Sequence, residues 1–285
     1  MVPNGGFVAP FSSGVSRPAS QVIGRSRLLR RNPLVYPAGA LAGIDPLHPA
    51  SRNLMFSGVP LPGPNFINLV PGIVSALPTI VGAPTYSIDP TLGPLFNCMN
   101  NADIANWSGF PTTAFSVGTM ACIFVSRGNN SGGVAVIGGD SGSTSIGMGQ
   151  TAYQSNIGSV GDVRWNGTQY VFASPMPLDN ANTPYFFAYT VLGGVRFHYV
   201  MQNLWTGQTY FQVNGATPGA TTTGSGTFSV GNRPSATGRE LFGGVAAMMR
   251  SNVYLSPSVL MAWCKDPWAF WYPNNPAMRS AAQPR

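Results

Sequence analysis

The sequence predicts an all-β jelly-roll sandwich that follows an extended, irregular N-terminal arm. Glycine and proline number 35 and 26 among 285 residues, which disfavours long helices and suits a chain with many turns. From about residue 80, short runs of alternating apolar and polar residues recur between turn residues. Residues 1–52 show neither a helical nor a strand period. We therefore divide the chain into an arm, residues 1–52, and a sandwich domain, residues 53–285.

The arm is basic. It holds six arginines and one acid, Asp45, whereas the rest of the chain is nearly balanced in charge. Such an arm could bind phosphates of a nucleic acid, or it could dock into acidic grooves on neighbouring subunits. Six arginines over 52 residues are few for packaging a genome, so we favour docking. The predicted assembly residues are Arg17, Arg25, Arg27, Arg30 and Arg31.

The strands of the sandwich are predicted from their alternation and from the turns that bound them. In the run Val195 to Leu204, for example, Val195, Phe197, Tyr199 and Met201 share one face. An Asn166-Gly167 pair predicts a tight hairpin between the strands on either side of it. The predicted strands are Ala114–Val125, Val134–Ile137, Val163–Trp165, Thr168–Tyr170, Tyr185–Val191, Val195–Leu204, Thr209–Val213, Thr227–Val230 and Leu241–Met249.

A short helix and an aromatic segment are predicted after the last strand. Ser256 is a good N-cap, and Pro257 suits the first helical position. Pro267 is expected to stop the helix. The aromatic cluster Trp268, Phe270, Trp271 and Tyr272 is too apolar to be left in water. We expect it to pack against the sandwich or against an adjoining subunit.

The order of these features resembles a known family. Residues 110–272 contain, in order, Gly138-Gly-Asp140, the Trp165 hairpin, Tyr210 to Gly215, Phe242-Gly-Gly244, the Leu255-Ser256 helix start and Asp266-Pro-Trp268. This order resembles the laminin-G-like, concanavalin A-like jelly rolls of virion proteins from tailed bacteriophages. The resemblance implies a role in particle architecture or surface binding.

Residues that could carry chemistry are sparse. Glycosidases use two carboxylates on either side of the bond that they cut, but Glu240 is the single glutamate and the aspartates lie apart. We therefore predict that the protein is not an enzyme. His48 and His198 have no ligand partners close in sequence, and Cys98, Cys122 and Cys264 lack metal-ligand spacing. Asp140, near Asn129 and Asn130, could bind Ca²⁺, but a plain turn is the better interpretation, so no cofactor or metal is expected.

The sequence favours a structural virion protein of a bacteriophage, most specifically a capsid decoration or minor capsid protein anchored by its arm. The alternative is a carbohydrate-binding, lectin-like module for receptor binding or on a fibre. The aromatic residues that could stack on sugars, most of them better interpreted as core or interface anchors, are Trp107, Trp165, Trp205, Trp263, Trp268, Trp271 and Tyr272. A weaker alternative is a small-virus jelly-roll coat protein whose arm binds nucleic acid.

The expected partners are other virion proteins, further copies of the chain and a surface glycan. Nucleic acid is disfavoured as a partner. A membrane is disfavoured too, because no run of eighteen apolar residues and no secretory signal occur. The expected location is the virion, after assembly in the host cytoplasm.

Overall fold

The computed structural model describes residues 43–100, 102–127, 134–140, 147–153, 157–165, 168–178, 182–213, 220–223, 226–232 and 241–271. All of them belong to one compact unit, Pro33–Arg285. The strands are β1 (Leu54–Leu61), β2 (Asn65–Asn68), β3 (Thr79–Val81), β4 (Thr85–Asp89), β5 (Gly93–Cys98), β6 (Ile104–Ser108), β7 (Ala114–Phe115), β8 (Val117–Ser126), β9 (Val134–Gly139), β10 (Gly147–Tyr153), β11 (Ile157–Trp165), β12 (Thr168–Leu178), β13 (Pro184–Leu192), β14 (Arg196–Asn203), β15 (Thr209–Val213), β16 (Thr222–Thr223), β17 (Thr227–Val230) and β18 (Gly243–Ser251). One helix, α1 (Pro257–Cys264), follows β18.

Two antiparallel sheets form the sandwich, which confirms the predicted all-β fold class. The first sheet runs β15-β14-β13-β8-β18-β1-β2, and β5 also pairs with β18 while β4 pairs with β5. The second sheet runs β12-β11-β10-β9-β17-β6-β3. Strands β7 and β16 form a separate small ribbon. Within the described part of the chain, no helix has the length and the apolar character needed to cross a membrane.

The main core lies between the two sheets. Alternate residues of the central strands point into it, as their period of two requires. On β13 and β14, for example, Phe187, Tyr189, Phe197 and Tyr199 face this core, whereas Phe186 faces the other side of the sheet. Burying such large side chains from both sheets supplies the main driving force for folding.

A second apolar layer covers the outer face of the first sheet. Helix α1 contributes Leu260 and Trp263, and the segment after it contributes further aromatic side chains. Residues 43–50 lie against this layer: the Gly43 amide donates to the carbonyl of Trp271, and Ala50 is fully buried. These residues thus pack on the sandwich although they fall within the predicted arm. The boundary placed at residue 52 stays a prediction.

Most of the predicted strands occur with small shifts in their ends, but β11 begins six residues before the predicted Val163, β12 ends eight residues after the predicted Tyr170, and one predicted strand is broken. The run Ala114–Val125 is divided at Ser116 into β7 and β8. Phe115 pairs with Thr222 of β16, whereas β8 pairs with β13 and β18. The carbonyl of Ser116 accepts a hydrogen bond from the Gly193 amide, which fixes the break. The Asn166-Gly167 turn lies outside the described residues.

Candidate functional site

The turn between β14 and β15 is held by a dense set of hydrogen bonds. The side-chain oxygen of Asn203 accepts from the backbone amides of Trp205 at 2.9 Å and Thr206 at 3.1 Å. The backbone amide of Asn203 donates to the carbonyl of Gln208, and the backbone carbonyl of Asn203 accepts from the Gly207 amide. An asparagine side chain that caps its own turn is a common way to fix a loop. Gly207, with a φ of 73°, takes the left-handed position that closes this hairpin.

Trp205 projects from this fixed hairpin into solvent. Its side chain is 52% exposed, whereas that of its neighbour Leu204 is only 2% exposed. Leu204 anchors the hairpin in the outer apolar layer, and its amide donates to the carbonyl of Pro184. The turn therefore holds together through Asn203, Leu204 and Gly207, and its geometry does not depend on the Trp205 side chain.

Polar groups lie beside Trp205 on the same hairpin. The side-chain amide of Gln208 donates to the Tyr210 hydroxyl at 2.8 Å. The Thr206 hydroxyl accepts from the backbone amide of Gln208, and the Thr209 hydroxyl donates to the carbonyl of Gly207. Residues 205–209 are all exposed. The hairpin, Asn203–Tyr210, thus presents one indole ring together with side-chain hydroxyl and amide groups, all carried on a turn whose backbone is fixed. We call it the Trp205 hairpin.

The Trp205 hairpin stands at one end of the first sheet. Strand pairing places Asn203 opposite Tyr185, Pro184 opposite Val125, and Ser126 opposite Gly243. Chain segments of β8, β13, β14 and β18 therefore meet along the same rim. Arg127 follows β8 there, and its amide donates to the carbonyl of Phe242.

The candidate residues predicted from sequence fall in other places. Trp268, Phe270 and Trp271 are fully buried in the outer apolar layer, with Trp263 against both Phe270 and Trp271. Tyr272 lies outside the described residues. So do the predicted assembly residues Arg17, Arg25, Arg27, Arg30 and Arg31. The structure thus brings three members of the aromatic cluster together inside the chain's own fold.

Both histidines are held in structural positions. The His48 ring lies 4.4 Å from that of Trp263, and its Nδ1 atom accepts from the Ala50 amide. Burial lowers the pKa of His48 to about 4, against a smaller opposing effect of Asp45. His198 contacts the Tyr254 hydroxyl through Nε2 at 2.7 Å. Burial, and to a lesser extent Arg196, lowers the pKa of His198.

The cysteines are buried thiols. Burial raises the pKa of Cys264 to about 12 and that of Cys122 well above its usual value. A buried thiol with a raised pKa is a poor nucleophile and a poor metal ligand. Among the described residues, no group of three or more His, Cys, Asp or Glu side chains could hold a metal ion.

A buried charge pair lies between the two sheets. Arg250 of β18 and Asp140, which follows β9, have no exposed surface. Burial lowers the pKa of Arg250, and the negative charge of Asp140 opposes that shift. The Arg250 guanidinium lies 5.3 Å from the ring centre of Phe115 and donates to the carbonyl of Ser251. Asp140 is therefore part of the sandwich interior, whereas Asn129 and Asn130, the other candidate Ca²⁺ ligands, lie outside the described residues.

Sequence reasoning included Trp205 among several tryptophans but did not single it out. The spacing of residues in this part of the sequence nevertheless indicates a hairpin. Asn203 ends an alternating strand and Gly207 follows four residues later, which is typical of a closed hairpin. The apolar residue Leu204 could serve as its anchor. The tryptophan next to that anchor would then face solvent.

Comparison with known proteins yields matches of structure alone. No family model and no curated protein matches the chain. The enzymatically active domain of tailspike protein 2 of bacteriophage CBA120 is 15% identical, with a TM-score of 0.44 over 75% of this chain and 31% of that one. A Trypanosoma rangeli sialidase is 13% identical, with a TM-score of 0.46 over 87% and 38%. An arabinofuranosidase is 12% identical, with a TM-score of 0.45 over 78% and 50%.

These similarities correct one prediction and limit another. The three proteins are named as enzymes or as an enzymatically active domain, which overturns the prediction that this chain is not an enzyme. They agree with a β-sandwich and do not single out a laminin-G-like capsid protein. The chain spans at most half the length of any of the three. Because the identities are low and each TM-score is below 0.5, the similarities assign neither an activity nor a substrate.

Proposed function

We propose that this chain is a glycan-binding module of a virion, and that the Trp205 hairpin contacts the saccharide. One observation carries the proposal: a tryptophan that is 52% exposed stands on a hairpin fixed by hydrogen bonds that do not involve its side chain. The fold therefore does not account for the presence of an indole ring at this position, whereas a ligand would.

The chemistry of the hairpin suits a saccharide. A pyranose ring has an apolar face of C–H groups, which can lie on an indole ring, and a rim of hydroxyls, which need donors and acceptors. Trp205 offers the apolar surface, and Thr206, Gln208 and Thr209 offer hydroxyl and amide groups beside it. A few polar groups placed around an aromatic surface are typical of small-ligand sites.

The rigidity of the hairpin favours binding. Ordering a flexible loop on binding reduces affinity, so a site fixed in advance avoids that cost. Here the Asn203 side chain and three backbone hydrogen bonds, including that of Leu204 with Pro184, hold the turn before any ligand arrives. A weak contact of this kind gives stronger overall binding when several copies of the chain bind at once.

The virion setting rests on the sequence. A chain with only 8% charged residues tolerates that composition best when partners cover much of its surface. The same observation favours the second candidate, a capsid decoration protein that is anchored by its arm and binds no glycan.

Replacement of Trp205 by alanine tests the proposal. We expect wild-type protein to bind one class of bacterial surface polysaccharide on a glycan array. Trp205→Ala should lower that affinity by at least about tenfold, a loss of about 1.4 kcal/mol, and Trp205→Phe should lower it less. The matched control is Val195→Ala, because Val195 is 54% exposed at the opposite end of the same strand pair.

Two outcomes would contradict the proposal. Wild-type protein that binds no glycan on the array would favour the capsid decoration role. Binding that Trp205→Ala leaves unchanged would place any glycan site elsewhere. Release of product from a bound polysaccharide would add a hydrolytic activity to the binding.

A further inference from the structure

Two edge strands of the sandwich lie next to each other in sequence. β3 pairs only with β6 at the end of the second sheet, and β4 pairs only with β5 at a border of the first, within the described residues. Three residues, 82–84, connect them. The carboxylate of Asp103 fixes this connection by accepting from the Ala83 amide at 2.8 Å. We call the outer sides of these two strands, together with Leu77, the β3–β4 edge.

The β3–β4 edge is apolar and exposed. Ile88 is 72% exposed, Leu77 54% and Val81 45%, which makes three of the six large apolar side chains that are exposed in the described residues. The other three, Leu47, Val195 and Trp205, lie apart in sequence. Exposed apolar side chains beside a free strand edge favour pairing of that edge with another chain.

The edge lacks the usual protection against such pairing. Natural edge strands commonly carry charged side chains, above all lysine, that prevent another strand from adding. Residues 53–126 contain no lysine or arginine, and their two acids are Asp89 and Asp103. Both carboxylates accept backbone amides within their own turns. The edge is therefore open to a partner strand, and its residual charge is negative.

The N-terminal arm of the same chain has the matching chemistry. Residues 1–42 contain five arginines and no acid, so their charge is opposite to that of residues 53–126, which favours association. They also contain short apolar pairs, Val22-Ile23 and Leu28-Leu29, that could fill alternate positions of an added strand. Extended, 42 residues reach up to about 140 Å, far enough to leave their own subunit.

We infer that the β3–β4 edge binds the N-terminal arm of a second copy, which adds to β4 as an extra strand. Strand addition derives affinity from main-chain hydrogen bonds and selectivity from pockets for alternate side chains. Exchange of an identical element between copies is a low-cost route to a homo-oligomer. Gly43, the first described residue, is held on its own sandwich by a hydrogen bond from its amide to the carbonyl of Trp271. The inference does not depend on the Trp205 hairpin or on glycan binding.

A photoreactive probe at position 88 of the full-length chain tests the inference. Benzoylphenylalanine replaces Ile88 in one copy, which also carries Val22→Ile and Val35→Ile as mass marks in its arm. This copy is co-expressed with unmarked wild-type chain, and the cross-linked peptides are identified by mass spectrometry. We expect links from position 88 to unmarked arm peptides, and none from a control probe at Val195.

Links to marked arm peptides alone would show that the chain binds its own arm and would overturn the inference. Links that lie outside residues 1–42, or no links, would overturn it as well. A second measurement uses Val81→Lys with Ile88→Lys, which should lower the mass found by sedimentation velocity to that of a monomer. Val195→Lys should not lower it, and thermal unfolding checks that each variant is folded. An unchanged mass of the double variant would contradict the inference.

Discussion

Arg250 shows how a single charged residue is accommodated inside an apolar sandwich. Its side chain is fully buried, and such a position is costly for a guanidinium unless a negative charge compensates it. Asp140 supplies that charge from the opposite sheet, and Phe115 lies against the guanidinium. The attraction between the two charges acts between β18 of the first sheet and the end of β9 in the second.

Arg250→Met should therefore be strongly destabilising. The variant removes the positive charge and leaves Asp140 buried without it, which costs about 3–5 kcal/mol in the free energy of unfolding. Urea denaturation followed by circular dichroism measures this loss. Arg196→Met is the matched control, because Arg196 is exposed, and it should change stability by less than about 0.5 kcal/mol. Equal stability of Arg250→Met and wild type would refute the compensation.

At the scale of elements, helix α1 and the aromatic segment after it seal the outer face of the first sheet. Trp268, Phe270 and Trp271 have no exposed surface. Trp263 of α1 contacts two of them, and its indole donates to the carbonyl of Pro267. Backbone hydrogen bonds from Gly43 and Asp45 add the described start of the chain to the same layer. The layer thus joins sequence-distant segments through large aromatic contacts.

Trp268→Ala should destabilise the protein itself. A fully buried tryptophan that is truncated to alanine leaves a cavity and loses apolar contacts, at a cost of about 3–5 kcal/mol. Differential scanning calorimetry of the purified chain should show a clear fall in melting temperature. Trp205→Ala, which truncates an exposed tryptophan, should leave the melting temperature nearly unchanged. If both variants melted like wild type, the outer layer would contribute little to stability.

The His48 contact makes this layer sensitive to pH. Folding lowers the pKa of His48 from 6.5 to about 4, so below pH 6.5 the unfolded chain binds a proton that the folded chain rejects. The contribution to stability is full above pH 6.5 and is lost as the pH falls towards 4, by roughly 2–3 kcal/mol. Urea unfolding at pH 7 and pH 4.5 measures it. His48→Gln should reduce the dependence on pH, and an unchanged dependence would contradict the assignment.

How well the elements could be predicted depended on their burial pattern. Strands β13 and β14 alternate between two buried faces of different composition, and their apolar period is plain in the sequence. Strand β10, Gly147–Tyr153, escaped prediction because three of its residues, two glycines and an alanine, have low strand propensity and its apolar residues do not alternate regularly. It forms because β9 and β11 pair with it on both sides, which is tertiary context that no local pattern contains.

The candidate site was predicted less well than the fold. The sequence predicted that Trp268 packs, and it is buried, but it did not single out Trp205, which is exposed, among the tryptophans that could stack on sugars. Exposure depends on which segments cover a residue, and those segments are distant in sequence: Gly43 and Trp271 are joined by a hydrogen bond across the chain. The role of the arm arginines, Arg17 to Arg31, stays a prediction.

At the scale of the whole molecule, the scarcity of charge connects the fold with the proposed interactions. Only 8% of the residues are charged, and residues 53–126 form a long stretch without a basic side chain. Solubility then depends on polar uncharged groups and on coverage by partners. Within the described residues, the β3–β4 edge and the Trp205 hairpin expose apolar side chains for which we propose partners, a basic arm for the first and a saccharide for the second.

The most direct test of glycan binding follows the tryptophan indole signals by nuclear magnetic resonance. The chain has six tryptophans, so a ¹⁵N-labelled sample gives few indole signals, and Trp205→Phe identifies the one from Trp205. Titration with the polysaccharide selected on the array should shift the Trp205 signal in a saturable way while signals of buried tryptophans such as Trp107 and Trp268 stay in place. A Trp205 signal that does not move while the glycan binds would contradict the proposed site.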